Sequence, residues 1–282
     1  MGNKWLGYGA IALTLWGTAN AQKPLILSAE PALSFADVAD FAVASDIVAQ
    51  VRVIRAERIK TTPGLTLPLD QKRYLITATV TALIRGAGGL PPQIRYLVDV
   101  KNDAKGRTPR LKKTEMMLFG VAVPNRSGEI QLIAPDAQVV MSAALGVRVR
   151  SILAALNAED APPAILGVGD AFHVSGTLSG QGETQIFLNA QGGRPVSLSI
   201  WREPGLTPRW AVSLGEIVDQ GAAPPPRDTL LWYRLACFLP KTLPDKSISA
   251  LDLQTSQIVE EDYQTVKTGL GECNRIRLAP SK

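Results

Sequence analysis

Histidine and cysteine are scarce in this chain, whose 282 residues contain one histidine and two cysteines. The cysteines do not form a C-x-x-C pair, so the sequence lacks the ligands of an ordinary zinc cage. The dinucleotide fingerprint is absent too, because Gly167-Val168-Gly169 does not continue as one. We therefore expect neither a metal nor a cofactor.

Long apolar runs are missing beyond the N-terminus, so no later segment is predicted to span a membrane. Residues 1–21 combine Lys4, a short apolar stretch and an Ala19-Asn20-Ala21 site, which is typical of a cleavable signal peptide. An uncleaved anchor is the alternative. A lipoprotein is disfavoured, because Gln22 and not cysteine would follow the cut. We expect the mature chain to be periplasmic or secreted.

The two cysteines, Cys237 and Cys273, both lie near the C-terminus. An even number of cysteines in an oxidising compartment predicts one disulfide. Two separate buried thiols are the alternative.

The first half of the chain alternates between apolar and polar residues, the period of a half-buried strand. The alternation is clearest from Tyr74 to Ile84, and Gly86-Ala87-Gly88-Gly89 ends it. A short Ala-rich helix is predicted over residues 35–46. Short strands separated by turn residues favour a small barrel or a sandwich. We predict five of them, near residues 47–53, 74–84, 94–100, 116–123 and 129–134.

An apolar stripe from Leu145 to Leu156 predicts a helix that ends before Pro162-Pro163. Turn residues then recur at a nearly even spacing, which predicts an antiparallel meander. Its strands are expected near residues 170–178, 184–189, 195–202 and 209–218.

The C-terminal part is predicted to be helical. Asp228 can cap a helix that begins at Thr229, and a second helix is expected from Ser256 to Thr268 with Gly269 as its cap. A Cys237–Cys273 bridge would then clip these helices together.

Four segments of the first domain resemble netrin-like modules, the family that includes tissue inhibitors of metalloproteases. They are DIVAQVRVIRAERI, RYLITATVTALIRG, QIRYLVDV and LKKTEMMLFGVAV, within residues 40–125. The resemblance implies an OB-type β-barrel. It does not carry over the inhibitory mechanism, because the inhibiting members begin with a cysteine and the mature chain would begin with Gln22.

Together these patterns predict a mostly β (α+β) chain. An OB/netrin-like barrel or small sandwich would be followed by a second antiparallel β-meander domain and a helical C-terminal segment. The predicted boundaries are a signal peptide at 1–21, a barrel domain at 22–141, a connecting helix at 142–163, a second β domain at 164–222 and a Pro-rich linker with the disulfide-clipped segment at 223–282.

Catalytic patterns are weak. His173 and Ser175 would share a face of one strand, but no G-x-S-x-G elbow surrounds them. Adjacent helical residues point in different directions, so Glu260-Glu261-Asp262 is interpreted as a solvated helix face. The stretch from Asp99 to Asp103 lacks the glycine and glutamate of a calcium loop. Trp201 and Trp210 are expected to pack in the core or to pair across a hairpin, with stacking on sugars as the alternative.

A basic run between the third and fourth strands is the most suggestive feature. Cations at this density on one loop can hold phosphate or carboxylate groups, although a merely solvated loop is the simpler interpretation. Nucleic acid is not expected, because no aromatic residues interleave with the cations. The candidate anion-binding residues are Lys101, Lys105, Arg107, Arg110, Lys112 and Lys113.

These observations lead to the hypothesis of an exported, non-enzymatic binding protein of the bacterial cell envelope. Loop 101–113 would contact an anionic partner, which is another envelope protein, an anionic glycan or a lipid head group. The alternatives are a secreted hydrolase and a structural subunit of an envelope assembly.

Overall fold

The structure, a computed structural model, describes residues 2, 33–60, 67–215 and 223–277. The described residues from Leu33 onward make up one compact unit. The predicted signal peptide lies outside the described residues, apart from Gly2.

The first part of the chain is a closed five-stranded β-barrel, one of the two architectures that the sequence predicted. Strand β1 pairs with β2 on one side and with β4 on the other, and β5 lies between β3 and β4, parallel to β3. A short strand β6, which the sequence did not reveal, extends the sheet beyond β4. The strands are β1 (Ile47–Arg58), β2 (Gln71–Arg85), β3 (Gln93–Lys101), β4 (Glu115–Ala122), β5 (Glu129–Leu132) and β6 (Gln138–Val140).

Strand β1 is bent so that it can serve both neighbours. Its first half, Ile47–Arg52, pairs with β4, while its pairing with β2 continues to Arg58. Register shifts between Val48 and Ala49 and between Val53 and Arg55 supply the bulges that curvature requires. Bending of this strand is what closes the barrel.

Two helices, α1 (Phe35–Ala44) and α2 (Ala143–Asn157), pack against each other beside the barrel. Helix α1 begins with a capping box, in which Ser34 and Asp37 hydrogen bond each other's backbone N–H. Phe41 of α1 stacks on Phe119 of β4 at 5.1 Å between ring centroids. This contact packs α1 against the barrel.

The second sheet is an antiparallel meander of four strands in the order β10-β9-β8-β7. Apolar residues of one face, such as Ile186, Leu198 and Ile200, are fully buried. The meander was predicted correctly, although its first strand begins earlier than expected. The strands are β7 (Ile165–Ser175), β8 (Gly182–Ala190), β9 (Val196–Arg202) and β10 (Arg209–Ser213).

The C-terminal segment contains helices α3 (Leu230–Ala236) and α4 (Leu253–Leu270). Cys237, the C-cap of α3, forms a disulfide with Cys273, three residues after α4 ends. The predicted bridge is therefore confirmed. Helix α4 continues past the predicted cap, and Gly271, with φ of 67°, takes the left-handed position instead.

The segment after α4 returns to α1. The buried Asp37 carboxylate accepts hydrogen bonds from the backbone N–H groups of Ile276 and Arg277. Asp40 accepts a bidentate pair from Arg275, at 2.7 and 2.9 Å, and a third hydrogen bond from Tyr233. These contacts tie the C-terminal segment to the barrel side of the molecule. Buried apolar residues of both sheets belong to one continuous cluster, and the predicted division into two β domains stays a prediction.

Within residues 33–60, 67–215 and 223–277, no helix has the length and apolar character needed to cross a membrane.

Gly269 is required by packing rather than by capping. A Cβ at this position would lie 2.5 Å from Nε1 of Trp210, whose side chain is buried. We predict that Gly269→Ala lowers the free energy of unfolding by about 1–3 kcal/mol, because overpacking outweighs the better helix propensity of alanine. Urea denaturation measures the effect.

The matched control for Gly269 is the neighbouring Thr268→Ala, at an exposed position of the same helix. Equal stability of the two variants would show that the Trp210 contact is not restrictive.

The disulfide closes a loop with a sequence separation of 36. We predict that replacing Cys237 and Cys273 together with serine lowers the free energy of unfolding by about 4 kcal/mol, the chain-entropy value for a loop of this size. Denaturation of the wild type with and without reductant provides the comparison. A reductant effect of the same size in the double variant would contradict the assignment.

Candidate functional site

The segment between β3 and β4, residues 102–114, is an ordered loop that crosses one end of the barrel. Its first residue donates from Asn102 N to Asp70 O at 2.7 Å, which joins it to the connection between β1 and β2. Its last residues pair with β1, because Lys113 N donates to Val53 O and Val53 N donates to Thr114 O. Leu111 is buried and anchors the loop in the core. The loop thus has a fixed position at the barrel end.

Two polar residues hold the interior of this loop. Asp103 accepts hydrogen bonds from the backbone N–H groups of Lys105 and Arg107 and from the Arg107 guanidinium. These bonds lower the pKa of the Asp103 carboxyl, the backbone N–H of Arg107 most strongly. Thr108 contacts Nζ of Lys72 at 3.3 Å and the hydroxyl of Tyr74 at 3.1 Å. The loop is therefore fastened to β2 as well as to β1.

Positive charge is in large excess at this end of the barrel. Residues 52–60, 67–73 and 99–115 contain twelve Lys and Arg but only five Asp and Glu. The resulting excess of seven exceeds the net charge of +5 of the whole chain, so the rest of the sequence is slightly acidic.

Every carboxylate of these segments is already engaged with a cation. The pairs are Arg52–Glu115 at 3.0 Å, Arg55–Glu57 at 2.5 Å, Arg73–Asp99 at 2.7 Å, Lys101–Asp70 at 3.7 Å and Arg107–Asp103 at 3.0 Å.

Seven cations remain, which we call the basic rim. Among the described residues, no carboxylate oxygen lies within 4.0 Å of their charged groups. All except Lys72, which is half-buried, are exposed. The basic rim consists of Arg58, Lys60, Lys72, Lys105, Arg110, Lys112 and Lys113.

The structure divides the six predicted anion-binding residues. Lys101 and Arg107 contact carboxylates, whereas the other four belong to the basic rim. The sequence analysis did not identify the other three cations of the basic rim. Arg58 is the last residue of β1, Lys60 follows that strand, and Lys72 lies in β2. Pairing of Arg58 with Tyr74 across the β1–β2 ladder brings them to the loop. That pairing is a property of the folded sheet, so no local sequence signal marked these three residues.

The basic rim suits a ligand with several spread negative charges. Lysine ammonium groups on exposed stems act as point charges with little geometric demand. The mutual repulsion of the lysines falls when an anion approaches. Dissolved salt screens both this repulsion and the attraction between the lysines and the anion. The arrangement can attract and hold an anionic surface or polymer.

The catalytic pair considered for a hydrolase is not hydrogen bonded. His173 Nδ1 lies 2.9 Å from Oγ1 of Thr184, on the neighbouring strand β8, and no bond joins His173 to Ser175 among the described residues. The His173 ring also covers Gly182, where a Cβ would lie 2.6 Å from Nε2.

A buried polar network continues from His173 into α4. Thr184 donates to Oδ2 of Asp262, and Arg202 Nε donates to Oδ1 of the same carboxylate at 2.7 Å. Asp262 is fully buried, so the interpretation of Glu260-Glu261-Asp262 as a solvated face is wrong for this residue. The cause is tertiary, because α4 packs this side against the second sheet. Arg202 also pairs with Glu261, whose side chain is exposed.

The remaining sequence candidates have structural roles. Asp99 binds the Arg73 guanidinium with both carboxylate oxygens, at 2.7 and 2.8 Å, which occupies the oxygens that a cation would need. Within the described ranges, no group of three or more His, Cys, Asp or Glu is arranged to hold a metal ion.

The expected pairing of Trp201 with Trp210 is wrong. Trp201 lies opposite Arg209 and Trp210 opposite Ile200, so the two indoles point to opposite faces of the sheet. Trp210 is buried under α4, whereas Trp201 lines an open groove of about 510 Å³ together with Phe172.

Protonation of His173 is predicted to weaken the fold. Burial lowers the pKa of the imidazole, Arg202 lowers it further, and Asp262 opposes them. The unfolded chain therefore binds this proton more readily. We expect the free energy of unfolding to fall as the pH is lowered through about 6.5, the ordinary histidine pKa. Denaturation at several pH values between 5.5 and 7.5 measures this.

The chain has one histidine, which makes His173→Gln a clean control. The variant should show a flatter dependence over the same range. An unchanged pH dependence in the glutamine variant would assign the effect to another group.

No family model and no curated protein matches the chain.

Proposed function

We propose that this chain is an exported, non-enzymatic binding protein of the bacterial cell envelope, periplasmic or secreted, that holds an anionic partner at the basic rim. One observation carries the proposal. Seven cations that have no carboxylate partner within the part of the chain that the structure describes lie on one ordered end of the barrel, although they come from three separate segments.

Order in the loop supports binding. Leu111 is buried, and the backbone of Lys113 is held by Val53. A partner that meets a preformed surface loses less conformational entropy than one that must order a flexible loop. Unpaired like charges also destabilise a compact state, so their concentration on a fixed surface is easier to understand as a binding feature than as a packing feature.

Two further observations favour an exported binding protein. The Cys237–Cys273 disulfide fits an oxidising compartment. His173 is engaged by Thr184 and not by Ser175, which favours binding over hydrolysis. For residues 40–125 we also propose a relationship to netrin-like modules, which the closed barrel supports.

Charge reversal at the basic rim tests the proposal. We predict that Lys112→Glu with Lys113→Glu reduces retention on an anionic resin at least tenfold, since each cation near an anionic surface contributes about 1 kcal/mol. The midpoint of salt elution from a heparin column, and the dissociation constant for soluble heparin, provide the measurements. Raising the salt concentration should weaken wild-type binding.

The matched control is Lys241→Glu with Lys246→Glu, which changes the net charge equally at two exposed lysines of the C-terminal segment. This control should elute close to the wild type. If both double variants lose retention equally, net charge alone is responsible and the basic rim is not a binding site.

A further inference from the structure

The connection between β1 and β2 places an apolar side chain beside the basic rim. Leu69 is fully exposed, with a relative exposure of 105%. It lies in a turn closed by Gln71 N donating to Pro68 O at 2.9 Å. The next residue, Asp70, accepts the hydrogen bond from Asn102 and pairs with Lys101. Leu69 therefore adjoins the loop that carries most of the rim.

We propose that the anionic partner is a lipid surface, with the basic rim facing the phosphate head groups and Leu69 entering the interface. This inference rests on the proposed function and names its partner. Interfacial binding combines two elements, cations and an exposed apolar side chain, because electrostatic attraction adds to apolar burial.

Leu69 distinguishes a membrane from a soluble polyanion. A polysaccharide or an acidic protein chain can neutralise the cations, but it offers no apolar phase into which a protruding leucine can pass. The interfacial region of an anionic bilayer offers both negative charge for the cations and an apolar phase for the leucine.

The composition of the basic rim favours the same partner. Five of its seven cations are lysines. The flexible ammonium group of lysine suits mobile head groups better than the fixed bidentate geometry of an arginine does. Tyr74, an aromatic residue whose hydroxyl bonds Thr108 of the loop, is half-buried. It therefore offers little ring surface for stacking on a sugar or a base.

Vesicle sedimentation tests the inference with the full mature chain. The vesicles are phosphatidylcholine alone and phosphatidylcholine containing about one third phosphatidylglycerol, the anionic lipid that supplies the surface charge. We expect binding to the anionic vesicles only, with a partition coefficient reduced at least tenfold in the Lys112→Glu, Lys113→Glu variant. Leu69→Ser should reduce it about tenfold, the effect of losing one buried leucine side chain.

Leu206→Ser is the matched control, because Leu206 is an exposed loop leucine of the second sheet, 64% accessible. It should bind anionic vesicles like the wild type. Thermal unfolding of each variant verifies that it is folded, which is expected because both leucines are exposed.

The possible results separate the inference from the proposed function. Binding to heparin without binding to anionic vesicles would overturn the lipid partner and leave the proposed function standing. Equal binding of the Leu69→Ser variant and the wild type to anionic vesicles would overturn insertion of Leu69, and equal binding to neutral vesicles would overturn the role of charge. Binding to neither heparin nor anionic vesicles would overturn both proposals.

Discussion

Closure of the barrel by β1 is the constraint on which the basic rim depends. Strand β1 pairs with β4 over Ile47–Arg52, and its pairing with β2 continues to Arg58. Next to the start of β4, the backbone of the β3–β4 loop replaces β4 as the partner of β1 by bonding to Val53. Because β2 pairs antiparallel with both β1 and β3, the β1–β2 connection and the start of the β3–β4 loop lie at one end. Closure by β1 adds the end of the loop, where Lys113 and Thr114 bond to Val53. An open sheet of the same strands would lose these bonds and would separate Lys112 and Lys113 from β1.

The distribution of charge is a property of this closure as much as of the composition. The loop alone carries four rim cations, and the hairpin of β1 and β2 adds three. Exposed ion pairs contribute little to stability, so the four exposed carboxylates at this end mainly neutralise individual partners and set local geometry, whereas Asp99 is buried against Arg73. Asp103, for example, shapes the loop through the backbone of Lys105 and Arg107. Lys72 of the basic rim is half-buried, and the six other cations of the rim are exposed to solvent.

The sequence predicted what local patterns determine. The alternation of Tyr74 to Ile84 located β2, and the stripe from Leu145 to Leu156 located α2, because period 2 and period 3.6 are imposed by burial of one face. Strand β6, with three residues, is too short for a period to be visible. The Cys237–Cys273 bridge followed from count and compartment.

What the sequence could not determine is non-local. The roles of Arg58, Lys60 and Lys72 depend on a strand register, and Asp262 is buried only because α4 rests on the second sheet. Glu261 and Asp262 both pair with Arg202, and it is the packing of α4 that buries Asp262 and leaves Glu261 exposed. Gly269 is a second example. A glycine near a helix end indicates a cap, and only the folded structure shows that the Trp210 indole packs against this one.

The disulfide and the barrel are linked through a short chain of contacts. Arg275, Ile276 and Arg277 follow Cys273 directly and bind Asp40 and Asp37 of α1. Helix α1 in turn stacks Phe41 on Phe119 of β4, the strand into which the basic loop leads. Because the bridge restrains the start of this segment, it limits how far the segment can move from α1. Oxidation at the C-terminal end therefore helps to hold in place the helix that supports the barrel wall beside the basic rim.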